Sequence, residues 1–109
     1  MKLIKVCPTN ERDLKFFGEL VALTQNSPNS GMDDFSGSTG RYEVLKLYKT
    51  QAGKYVAEHQ RVSQWSGERT VIKAKVCEKH DDIIGFFGFS DLAKEIYYDA
   101  EIETALNVE

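Results

Sequence analysis

The chain opens on a short apolar segment, Lys2 to Val6, in which Leu3, Ile4 and Val6 supply the apolar positions and Pro8 follows closely. This predicts a strand over 2–6, ended by a residue that has no amide to donate to a ladder. The spacing then lengthens. Leu14, Phe17 and Val21 recur at intervals of three and four, and Phe16, Leu20 and Leu23 form a second stripe beside them. Two adjacent stripes of this period predict a helix over 11–25 with a wide buried face. Thr9 or Asn10 is placed to cap it, and Glu11 and Asp13 to sit near the positive end of its dipole.

From Arg41 the period changes to two. Arg41–Lys49, Lys54–Trp65 and Glu68–Glu78 each read as a strand, separated by turns at Gln51–Gly53 and Ser66–Gly67. In the last of them Thr70, Ile72, Ala74 and Val76 face one way, and Arg69, Val71, Lys73, Lys75 and Cys77 the other. Such alternation marks a half-buried antiparallel sheet, and the short turns make sequential neighbours pair. A helix over 81–88 follows, apolar through Ile83, Ile84, Phe86 and Phe87 and ended at Gly88; the run Ile83–Phe89 is short enough that a buried strand is the alternative. Ser90 caps a last helix over 91–100, buried through Leu92, Ala93, Ile96 and Tyr97. The tail, 101–109, alternates only weakly and is expected to fray or to pack on a partner. The fold class expected is α+β: an antiparallel meander sheet over about 41–78, with strand 2–6 a candidate to join it, covered on one face by helices 11–25, 81–88 and 91–100.

Between the first helix and the meander, 26–40 holds glycine, serine, asparagine and proline with no apolar period. It reads as a long flexible loop, and loops of this length in compact domains are usually functional or mobile. The whole chain of 109 residues is the size of one domain, and 41% hydrophobic with 28% charged residues is ordinary for a globular one. No apolar run approaches the roughly 20 residues a bilayer requires, and Lys2 and Lys5 interrupt an opening too short for a secretory signal. The two cysteines, Cys7 and Cys77, suit a reducing compartment and read as small buried hydrophobes near strand ends. A bridge between them would need the first and last strands to lie side by side. The cytoplasm is the expected location.

Charge changes the picture more than composition does. Residues 1–40 carry four basic and five acidic side chains, 41–79 nine and four, and 80–109 one and eight, so a cationic sheet is joined to anionic helices. A face that mixes Tyr48, Tyr55 and Trp65 with Arg61, Arg69, Lys73 and Lys75 is neither plainly core nor plainly solvent. It points to self-association, a homodimer, or to another protein on the sheet. Trp65 beside its tight turn is a natural interface anchor. The rival reading is a polyanion such as nucleic acid held by the basic sheet, which the acidic C-terminal segment disfavours.

Chemistry is sparse. His59 lies mid-strand and His80 at a helix start, and no Ser/His/Asp or Cys/His catalytic arrangement emerges. Cys77 and His80 have a C-x-x-H spacing, but structural zinc sites usually show four ligands in recognisable pairs, so neither metal nor cofactor is expected. Asp33 and Asp34, with the Ser36–Gly40 run, are the candidates for a small-ligand or enzyme site in the 26–40 loop; no Walker lysine follows the glycines. The expectation is a small interaction or regulatory module without catalysis.

Overall fold

The computed structural model of the chain describes residues 1–26, 41–63 and 69–102. Five strands, β1 (Lys2–Val6), β2 (Leu14–Gln25), β3 (Arg41–Thr50), β4 (Tyr55–Ser63) and β5 (Val71–Cys77), precede two helices, α1 (His80–Phe87) and α2 (Asp91–Asp99). The strands form one antiparallel sheet in sequential order, β1-β2-β3-β4-β5. The α+β class, the meander, the N-terminal strand and both C-terminal helices are as the sequence predicts.

The helix expected over 11–25 is instead strand β2. Its first half pairs with β1, Ile4 opposite Phe16 and Val6 opposite Leu14, and its second half pairs with β3. The misleading period has a physical source. Between Leu20 and Ala22 the register slips by one residue at a bulge, and a one-residue slip turns every later side chain to the other face. Leu14 and Phe16 therefore join one core, while Ala22 joins the other. An alternation broken in the middle resembles intervals of three and four. Leu, Lys and Glu favour a helix locally, and tertiary pairing overrides that preference. Thr9, read as a helix cap, fastens two strands instead. Its amide donates to the Ile72 carbonyl at 2.8 Å, and its Oγ1 accepts from the Ile72 amide at 2.8 Å. Asn10 takes a left-handed φ of 60° in the same turn.

The two faces of the sheet have separate cores. On the outer face, Ala22, Leu45, Leu47, Ala57 and Cys77 pack beneath Ile83 of α1 and Ala93, Ile96 and Tyr97 of α2. The other face gathers Ile4, Val6, Tyr48 and Val56, with Leu14, Phe16 and Ala74 against them. In a flat sheet β1 and β4 would stand three strand spacings, roughly 14 Å, apart. Their side chains share a cluster because the sheet curls into a half-barrel with this face inside, and the Thr9–Ile72 bonds fasten its rims at one end.

Short-range chemistry fixes the helices. Ser90 Oγ accepts from the Ala93 amide at 3.2 Å, as its capping position predicts, and Gly88 ends α1 at a φ of 78°. Tyr97 O–H donates to the Gly88 carbonyl at 2.6 Å and ties the corner between the helices. Thr24 Oγ1, buried under α2, donates to the Leu92 carbonyl at 3.2 Å. Among the described residues no helix is long and apolar enough to cross a membrane.

Gly18 is the tightest point of the meander. A Cβ at this position would run into the Lys49 carbonyl oxygen of β3. Gly18→Ala should therefore destabilise the protein by about 1–3 kcal/mol, measured as a lower urea midpoint with an unchanged slope.

Candidate functional site

A concavity of about 660 Å³ lies where β3 begins, β4 ends and β5 begins. The register explains its composition. Tyr42 stands opposite Val62 on the concave side of the sheet, while Glu43 stands opposite Arg61, and Arg61 opposite Val71, on the outer side. The cleft thus wraps over the end of the sheet, and Arg69 closes it from the approach to β5. Asn26, at the exit of β2, completes the wall: its Oδ1 accepts from the Glu43 amide at 2.7 Å, and its own amide donates to the Glu43 carbonyl at 3.2 Å. The Glu43 carboxylate is also engaged, with Oε1 2.8 Å from His59 Nε2. Both cationic lining residues, Arg61 and Arg69, are exposed, and no ion-pair partner for either occurs among the described residues.

The residues singled out by sequence divide between this site and other places. Arg61 and Arg69 line the cleft. Lys73 and Lys75 continue the outer row of β5 away from it, opposite His59 and Ala57, and both are exposed. Tyr55 lies elsewhere on the outer face, its hydroxyl 3.3 Å from His80 Nε2 and its ring beneath the Lys49 ammonium at 5.9 Å. Tyr48 is not a surface stacking residue. It is buried in the concave core, edge-on to Phe16, and its O–H donates to Glu58 Oε1 at 3.3 Å. Trp65, Asp33 and Asp34 lie outside the described residues. Tyr42, Glu43 and Asn26 are lining residues that sequence reasoning passed over, while His59, set aside there as a mid-strand histidine, stands behind the cleft and holds Glu43; the alternation of β3 and β4 carried the signal that Glu43 and Arg61 share a face.

Glu58 is a buried carboxylate, 5% exposed, inside the half-barrel. Its second oxygen accepts from Gln60 Nε2 at 2.6 Å, so both oxygens are satisfied by side chains of the concave face. Burial, and after it the Glu58 carboxylate, pushes the Tyr48 phenol up to about 12; burial does the same to Tyr97.

The two cysteines have different surroundings. Cys77 is buried beneath α1, where burial pushes its thiol up, whereas Cys7 is exposed and so is not the buried hydrophobe expected of it. They remain free thiols, although β1 and β5 do approach at Thr9 and Ile72. No group of three potential metal ligands forms among the described residues, and His80 is engaged with Tyr55.

Comparison with known proteins gives no match: no family model, no curated protein and no solved structure resembles the chain. What the site can do therefore rests on its own geometry.

Two outcomes follow from these environments. In the native protein a thiol-reactive dye should label one cysteine per chain rapidly and the second only in denaturant, and Cys7→Ser should abolish the rapid reaction. Because the folded phenols hold their protons above the unfolded value of 10.0, their contribution to stability is complete below about pH 10 and disappears as the pH rises toward 12. Thermal melts across that range should show a steeper loss for the wild type than for Tyr48→Phe.

Proposed function

We propose that the chain is a small cytoplasmic interaction module, without catalytic chemistry of its own, that functions as a homodimer. The observation that carries this reading is a pair of exposed patches with matching apolar content and opposite charge. The first lies on the outer face where β1 meets the first half of β2. Leu3 and Phe17 stand directly opposite each other and are 57% and 55% exposed. They stay uncovered because α2 packs on the later part of β2, beyond the bulge, against Val21, Ala22 and Thr24. Their neighbours on the same face are Lys5, Lys15 and Glu19; Lys5 is partly neutralised by Asp13 at 3.5 Å, and Glu19 stands opposite Lys49 of β3. A second hollow of about 360 Å³ adjoins Phe17 at the end of the sheet, with Phe16, Val56 and Val76 of the concave face in its wall.

The second patch is on the helical layer. Phe89, in the α1–α2 corner, and Tyr98, on α2, are 61% and 85% exposed; Asp91, Glu95, Asp99 and Glu101 are exposed on the same layer and outnumber the one exposed cation of α2, Lys94. Leaving four large apolar side chains in water is unfavourable by roughly 25 cal/mol per Å² of apolar area. In a two-fold dimer each such patch meets its complement on the other copy, so the contact is made twice and the assembly closes. The basic strands and acidic helices then orient the encounter. A purely solvent-facing role would explain the charges but not the aromatic residues among them.

Sedimentation or native mass spectrometry of the purified chain tests the reading. A species of twice the chain mass is expected at micromolar concentration. Phe17→Glu, which places a carboxylate against the acidic helices, and Tyr98→Ala should each shift it to monomer, while Lys73→Ala at the far end of β5 should not. A wild-type chain that stays monomeric at all accessible concentrations would sink the proposal.

A further inference from the structure

We propose that the cleft at the end of β3, β4 and β5 is a binding site for a small organic anion, a phosphate monoester carried on a flat apolar body. Arg61 and Arg69 contribute two guanidinium groups to one concavity, and the carboxylate in its wall, Glu43, is drawn to His59 at 2.8 Å. Guanidinium groups are planar forks that match the oxygen spacing of phosphate and carboxylate, which a lysine ammonium does not. Two of them serving one structural ion pair would be expected to contact acidic side chains, and none does so among the described residues.

Shape and apolar content supply the second part. The volume, about 660 Å³, falls within the roughly 300–1,000 Å³ typical of small-molecule sites. Tyr42 offers an aromatic ring, and Val62 and Val71 add branched apolar surface beside the two arginines. An apolar body against Tyr42 and Val62, with its anionic end reaching over the end of the sheet to the arginines beside Val71, uses each kind of surface that the described lining offers. The backbone around it is well fastened: Asn26 bonds both the amide and the carbonyl of Glu43, and β4 pairs on both sides with β3 and β5. Such support holds the recognition groups in place before the ligand arrives.

A polyanion is the competing ligand, and the fold distinguishes the two. An extended strand of nucleic acid would need the basic row to continue, and it does so through Lys73 and Lys75 on β5. These residues do not line the cleft. A small anion depends on Arg61 and Arg69 alone, whereas a polymer depends on all four. The cleft lies at the opposite end of β3 from the Phe17 hollow, so the dimer and the anion site stand or fall separately.

The experiment is a titration with adenosine 5′-monophosphate, followed by backbone amide shifts in the two-dimensional NMR spectrum, with adenosine and inorganic phosphate as separate controls. Saturable shifts are expected at Tyr42, Glu43, Val62 and Val71. Each control should bind at least about tenfold more weakly, because each lacks one half of the match. Arg61→Ala and Arg69→Ala should each lower affinity by about tenfold or more, the usual loss for a charge-assisted contact. Arg61→Lys, which keeps the charge and loses the fork, should also weaken binding, whereas Lys73→Ala combined with Lys75→Ala should leave it unchanged. The proposal is overturned if the nucleotide produces no saturable shift at these amides, or if binding survives both arginine substitutions. It is equally overturned if a single-stranded oligothymidylate binds, with steep dependence on salt and on Lys73 and Lys75, where the mononucleotide does not.

Discussion

The slip of register between Leu20 and Ala22 is the constraint on which the rest of the architecture turns. Without it, β2 would present one set of residues to each side along its whole length and could not pass from the inner core to the helical layer. With it, the same strand serves the inside of the half-barrel through Leu14 and Phe16 and the helical layer through Ala22 and Thr24. The bulge also adds local twist, which a curled sheet requires. It marks the boundary of helical cover as well. Beyond it α2 seals the outer face; before it Leu3 and Phe17 are left to solvent. The exposed apolar patch is thus a geometrical consequence of where one extra residue was placed.

Much of this architecture can be read from residue order. The alternation in β3, β4 and β5 is regular, and its short connections allow only sequential pairing, so the meander and the faces of Lys73, Lys75 and Cys77 were legible. The helices were legible too, through Ser90 and Gly88 at their ends. The β2 segment was not, because pattern reasoning assumes one period per element, and a bulge joins two half-patterns of opposite phase. Gly18 was the local sign against a helix, since glycine in a helix interior is unfavourable, and it proves to sit where β3 passes too close for any side chain.

The site was legible only in part. Arg61 and Arg69 stand out by charge, but their meeting with Tyr42 and Asn26 depends on how four chain segments end at one place. No spacing within a single segment encodes that. Tyr48 shows the converse. Its strand position suggested an open surface, and the curl of the sheet put it inside, with Glu58 as its partner. A carboxylate in such a position is tolerated only because both of its oxygens have donors, from Tyr48 and Gln60. The polar pair also restricts how the concave core can pack, since a shifted β3 or β4 would leave a charge without partners.

The clasp between Thr9 and Ile72 has a consequence for how the molecule assembles. Its two hydrogen bonds join residues 63 apart in sequence, whereas β3 and β4 are linked by the local turn at Thr50–Lys54. Closing so long a segment loses more chain entropy than forming a hairpin, and only a sheet that has already curled brings the two ends together. The rims of the half-barrel therefore come together late in folding and separate early when the protein breathes. Amide exchange at Thr9 and Ile72 should therefore be faster than at the β3–β4 centre of the sheet.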